Sequence, residues 1–138
     1  MENEYFNILM KLAKKALNKN EVPVSALITY NDKIIAKFYN KKNIKGNSLY
    51  HAEILCIDKA CKKLKRWNLD GCKMYITLEP CDMCKMAIQE ARIQEVFYLV
   101  SKGNITNKYK KTRYEQMFAF DCDEYRNLLK YFFKNIRK

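Results

Sequence analysis

Two short segments combine residue types that can hold a metal ion and move a proton: His51-Ala52-Glu53 and Pro80-Cys81-Asp82-Met83-Cys84. A lone histidine is most often a core or surface residue. A lone CxxC outside an oxidising compartment suits zinc binding or redox work. Together the segments offer an imidazole, two thiolates and a carboxylate two residues beyond the imidazole. His51 is the only histidine, and no second CxxC exists. Three protein ligands leave the fourth tetrahedral position of Zn²⁺ open to water, which marks a catalytic site, whereas a structural site closes all four. Bound zinc lowers the pKa of water to roughly 7, giving hydroxide at neutral pH. Glu53 then reads in one of two ways. It is either a first-turn carboxylate favoured by the helix dipole or the shuttle that takes the water's proton and passes it on.

For these groups to converge, both segments must open helices. Cys81 and Cys84 are three apart and share one helical face. Pro80 favours a helix start, which puts both thiols in the first turn of a helix running from Asp82 to Arg92. The positive helix end there stabilises thiolates, the form that binds metal. Glu79 precedes proline and is biased to extended backbone. His51 falls at the start of a helix reaching about Leu64 and burying Leu55, Cys56 and Cys61.

The remaining elements alternate between helix and strand, which predicts an α/β layer architecture. Phe6, Leu9, Met10, Ala13, Ala16 and Leu17 recur at helical spacing, so a helix opens the chain. Val22 to Tyr30 and Lys33 to Tyr39 read as an antiparallel hairpin around Asn31-Asp32, with Pro23 near its start. Asn40 to Asn47 is polar, contains Gly46 and reads as a loop. Lys73 to Leu78 is a strand, and Glu95 to Val100 a strand buried on both faces. A short strand is expected near Tyr114 to Phe120. A helix closes the chain from Asp123, with Tyr125, Leu128, Leu129, Phe132, Phe133 and Ile136 as one apolar stripe packed on the sheet.

The length of 138 residues suits one domain, 1–138, and a hydrophobic fraction of 49% supplies a real core. No apolar run approaches the roughly 20 residues of a membrane span. The start, Met1-Glu2-Asn3-Glu4, lacks the features of a secretory signal, so the expected location is cytoplasmic. Outside the CxxC, Cys56, Cys61, Cys72 and Cys122 read as small core residues. The net charge is +12, with Lys+Arg 27 against Asp+Glu 15. That suits an anionic partner, nucleic acid first. A compositional bias towards Lys, Asn, Ile and Tyr explains it equally well.

HxE followed by PCxxC after a strand and a helix is the signature of zinc deaminases. At these residues the chain resembles the bacterial tRNA-specific adenosine deaminases, from the first helix through Val100 and again in the last helix. Glu21-Val22-Pro23-Val24 is similar to the family's first-strand motif. Asn40 matches the asparagine that holds the target base, and His51-Ala52-Glu53-Ile54 the metal and acid/base segment. Thr77-Leu78-Glu79-Pro80-Cys81-Asp82-Met83-Cys84 is close to the second motif. Leu128-Leu129-Lys130-Tyr131-Phe132-Phe133 resembles the C-terminal helix that cradles the anticodon stem-loop. Ser25 stands where the family has glycine, Leu49-Tyr50 where it has threonine and alanine, and the segment after Val100 is shorter than usual.

The resemblance implies a cytidine-deaminase-like three-layer α/β/α fold with a central five-stranded mixed sheet. It implies one Zn²⁺ on His51, Cys81 and Cys84, with Glu53 as acid/base catalyst. It places Val24, Asn40, Ala52, Leu78 and Glu79 around the substrate. The implied reaction is hydrolytic deamination of the wobble adenosine to inosine in a tRNA anticodon, by a homodimer. Lys108, Lys110, Lys111 and Arg113 in the loop, and Lys134, Arg137 and Lys138 on the tail, are the candidate phosphate contacts. Two alternatives stay open. One is a deaminase of a free nucleobase, nucleoside or nucleotide, which has no need of a basic tail. The other is a catalytically silent, zinc-stabilised RNA-binding subunit, a class that commonly loses the shuttle carboxylate retained here as Glu53.

Overall fold

The computed structural model of the chain describes residues 2–102, 112–117 and 122–136. Its elements run α1 (Glu2–Asn18), β1 (Ser25–Tyr30), β2 (Lys33–Tyr39), α2 (Lys42–Lys45), α3 (Ala52–Leu64), β3 (Cys72–Leu78), α4 (Asp82–Glu90), β4 (Glu95–Val100), β5 (Arg113–Gln116) and α5 (Asp123–Asn135). The five strands form one mixed sheet in the order β2-β1-β3-β4-β5. The β1–β2 and β1–β3 pairs are antiparallel, and β3–β4 and β4–β5 are parallel.

Strand periodicity sends alternate residues to opposite faces, and both faces are covered. Ala26, Ile28, Met74 and Ile76 pack towards Ala52, Cys56 and Ala60 of α3 and Ile88 of α4. Leu27 and Tyr75 pack the other way, against Tyr5, Leu9, Met10 and Ala13 of α1 and Tyr125 of α5. The result is the three-layer α/β/α arrangement expected from the sequence. Ser25 stitches two layers together: its hydroxyl donates to the Leu9 carbonyl at 2.6 Å, and its N–H donates to Thr77 Oγ1 at 3.1 Å.

Several boundaries differ from expectation. The first strand begins at Ser25 rather than Val22, because Pro23 has no N–H for the ladder. The fifth strand is Arg113–Gln116, and residues 118–121 lie outside the described part. The segment expected as a loop after Asn40 contains α2, closed by Gly46 in the left-handed conformation at φ 59. Two N–H groups of its first turn are satisfied by a distant carboxylate, Glu21, so no local pattern announces it. Of the four remaining cysteines, Cys56 and Cys72 are buried, whereas Cys61 and Cys122 are only half-buried.

Candidate active site

The metal-type residues come together at two helix starts. His51 is the N-cap of α3 and Cys81 the N-cap of α4, both extended, and neither side chain caps its own helix. Both side chains are therefore free to turn towards each other. The first intrahelical bonds, Leu55 N–H to His51 carbonyl at 3.1 Å and Lys85 N–H to Cys81 carbonyl at 2.9 Å, fix the turns that carry them. The ligand atoms of His51, Cys81 and Cys84 all lie within 4.8 Å of one another. His51 Nδ1 is 3.5 Å from Cys84 Sγ and 3.8 Å from Cys81 Sγ. A tetrahedral ion with ordinary Zn–S and Zn–N lengths separates such atoms by about 3.6 Å, so the donor set fits one.

The electrostatics agree. The Cys81 thiol is pushed down to about 3, first by its hydrogen bond with Cys84 and then by His51. The Cys84 thiol is pushed up, chiefly by that same bond with Cys81 and by burial. A metal ligand must be a thiolate, and a cation between the two sulfurs would favour that form at both.

Glu53 sits one residue into α3 and is buried. Burial is the main cause that pushes its carboxyl up. Its Oε1 has no hydrogen-bond partner among the described residues. A buried polar atom left without a partner is costly, and native structures rarely retain one without a use for it. Here the carboxylate lines the same cavity as His51 and Cys81.

These groups open into a cavity of about 500 Å³, whose lining includes Glu21, Val24, Asn40, His51, Glu53, Leu78, Glu79 and Cys81. That volume suits a nucleoside-sized ligand. Val24 and Leu78 supply apolar wall, and Asn40 is buried and lines the cavity. Ala52 is fully buried in the core and is not on the cavity wall. Lys42 and Lys102 also line the cavity, and Phe132, Phe133 and Ile136 at the end of α5 complete it. The apolar stripe of α5 therefore divides. Tyr125 lies in the core at 0% exposed, while Phe133 is 48% exposed at the cavity.

Glu79 reaches the cavity, but its carboxylate is committed. Oε2 accepts from Lys85 Nζ at 2.7 Å, and Oε1 accepts from Ser101 Oγ at 3.2 Å and Lys102 N–H at 3.0 Å. This ties α4 to the exit of β4. The pair is buried, with side-chain exposures of 9% for Lys85 and 3% for Glu79. Removing one partner strands a charge, so Lys85→Met is expected to cost about 3–5 kcal/mol of stability in urea unfolding. A loss below about 1 kcal/mol would mean that Ser101 and Lys102 suffice to hold the carboxylate. Sequence reasoning misses the roles of Glu21, Lys85, Lys42 and Lys102, because no motif marks them individually as site residues.

Among the candidate phosphate contacts, Lys134 is exposed on α5. Arg113 is exposed on β5 and ion-paired with Glu95 and Glu115. Lys108, Lys110, Lys111, Arg137 and Lys138 lie outside the described residues.

A five-stranded mixed sheet between helical layers, with the ligand cluster at two helix starts and a buried carboxylate beside it, defines the cytidine-deaminase-like class of protein. The family model for MafB19-like deaminases matches residues 1–137, and the chain belongs to that family. It is 35% identical to the tRNA-specific adenosine deaminase of Bacillus subtilis (strain 168), over 97% of this chain and 89% of that one. It is 39% identical to the tRNA-specific adenosine deaminase of Rickettsia bellii (strain RML369-C), over 93% and 97%. A solved structure from studies of A-to-I editing by tRNA:A34 deaminases superposes with a TM-score of 0.81 at 27% identity, covering 92% of this chain and 99% of that one.

Proposed function

We propose that the protein is a zinc-dependent deaminase that converts the wobble adenosine of a tRNA anticodon to inosine. The observation that carries this reading is Glu53 Oε1, buried without a partner among the described residues, in a nucleoside-sized cavity shared with the ligand cluster. His51, Cys81 and Cys84 would hold the zinc, which when bound supplies an activated water. Glu53 accepts a proton from the attacking water and passes it to the ring nitrogen, then takes the proton of the hydroxyl formed on the attacked carbon and gives it to the amino group, which leaves as ammonia. Its raised pKa suits a group that must give the proton back. Val24 and Leu78 flank the base, and Asn40 offers it a polar edge. The single chain, 1–138, is read as one deaminase domain.

The relatives support tRNA as the substrate, and so does the charge of +12. An anticodon loop presents unpaired bases, so extruding one into the cavity costs less than it would from a duplex. Incubating purified protein with tRNA and detecting inosine tests the reading directly. Free adenosine, cytidine and guanine serve as competing substrates. Activity on a free compound with none on tRNA would replace the proposal with the small-molecule alternative.

The family resemblance also supports a homodimer, which light scattering on the purified protein would detect as twice the chain mass. A cytoplasmic location is likewise proposed, and no described helix is long and apolar enough to cross a membrane.

The tail gives a quantitative test of docking. Neutralising Lys134, Arg137 and Lys138 together is expected to weaken tRNA binding. The slope of log affinity against log salt should become shallower by about 0.7–0.9 for each phosphate that is no longer neutralised. Unchanged affinity and slope would remove the tail from the interface and leave its charge to composition.

A further inference from the structure

Glu21 is fully buried and lines the cavity. A carboxylate in such a place must be hydrogen-bonded, and three donors meet it. Oε1 accepts from Asn40 Nδ2 at 3.2 Å and from the Asn43 N–H at 3.0 Å, and Oε2 accepts from the Ile44 N–H at 2.5 Å. The two backbone donors belong to the first turn of α2. The third is the side chain of Asn40, a residue that also lines the cavity.

An ionised carboxylate only accepts hydrogen bonds, while an amide has one donating and one accepting end. Asn40 can therefore turn only its nitrogen towards Glu21. A flip would set Oδ1 against an anionic oxygen. Asn40 is itself 4% exposed, and its amide meets Glu21 through Nδ2. The acceptor and the second Nδ2 hydrogen are thus left for whatever enters the cavity, on sides chosen by Glu21.

We propose that Glu21 is a positioning residue that fixes the polarity of the Asn40 amide, so that the target nucleoside meets its donor and acceptor in one order only. The inference rests on the reading of this cavity as the nucleoside site. A ligand edge with the matching order pairs with both ends of the amide. One with the reversed order leaves buried polar groups without partners, which is the strongest kind of discrimination a polar pocket offers.

A double-mutant cycle separates this role from that of merely holding α2. Glu21→Gln keeps the side-chain shape but removes the anionic oxygen that dictates the Asn40 amide, and either placement of its own amide sets the NH2 against one N–H of α2, a cost that the cycle subtracts. It is expected to lower kcat/KM for tRNA by about ten- to hundredfold, as loss of a charge-assisted hydrogen bond does. The loss should fall on kcat rather than KM, because phosphate contacts dominate RNA affinity. Asn40→Ala should lose a similar factor. The double variant should stay within about twofold of Asn40→Ala, because Glu21 then has no amide to orient. Zinc content and thermal midpoint are followed in each variant. If Glu21→Gln costs its full factor in the Asn40→Ala background, Glu21 acts through α2 and the proposal is overturned.

The swapped pair Glu21→Gln with Asn40→Asp gives a second check that does not depend on either single variant folding well. It restores a side-chain hydrogen bond with the donor and acceptor exchanged. It should hold zinc yet remain as slow as Asn40→Ala, and wild-type turnover would show that polarity is irrelevant. Failure of the tRNA reading shows in the wild-type protein alone. The cycle is then run on whichever of free adenosine, cytidine or guanine that protein deaminates.

Discussion

Glu53→Ala is expected to keep its metal and its affinity for tRNA while losing about 10²–10⁴-fold in turnover, the usual contribution of a positioned acid/base group. The geometry separates the two properties. The ligand atoms belong to His51, Cys81 and Cys84, and Glu53 is not among them. Its carboxylate lies buried inside the cavity, whereas Lys134, a candidate tRNA contact, is exposed and not part of the cavity lining. The same variant should fold at least as stably as the wild type. Glu53 holds an ionisable group in a buried place where Oε1 finds no partner among the described residues, and such a group opposes folding. Removing it trades activity for stability, as is common when a strained functional group is deleted. Metal analysis, tRNA binding, single-turnover inosine formation and thermal unfolding on one preparation read all four properties. Turnover near the wild-type rate would take Glu53 out of the mechanism and favour a silent RNA-binding role.

Much of this site is visible in the sequence because its chemistry is local. HxE and CxxC each fit within one helical turn, and a helix N-terminus is written by neighbouring residues. His51 and Cys81 are therefore legible as paired helix starts from the sequence alone. What the sequence hides depends on partners far along the chain. Glu21 bonds Asn43 and Ile44 across 22 and 23 positions, so α2 looks like a polar loop when read locally. Lys85 sits in an ordinary helical position, and only the fold brings Glu79, Ser101 and Lys102 together with it as one knot. Phe133 continues an apolar stripe in sequence, yet it lines the cavity rather than the core. Periodicity tells which residues share a helix face, but not where that face runs out of sheet to cover.

The second large effect is expected at the metal centre. Wild-type protein should carry about one zinc per chain, because the described residues supply one set of three ligands. Cys84→Ala should hold little zinc and show no deamination above background. Two ligands would remain, at the starts of two separate helices, so the loss reaches beyond chemistry. An ion that binds only the folded state at a thousand times its Kd stabilises by about 4 kcal/mol. For a chain of this size, loss of that contribution lowers the thermal midpoint by on the order of 10 °C. Chelation of the wild-type protein should reproduce both effects, and returning zinc should reverse them in the wild type alone. Cys61→Ser is the matching control: its thiol is half-buried and stands outside the ligand cluster, so zinc and activity should persist. Full zinc occupancy in Cys84→Ala would show that the third ligand lies elsewhere, and the geometry proposed for the site would fall with it.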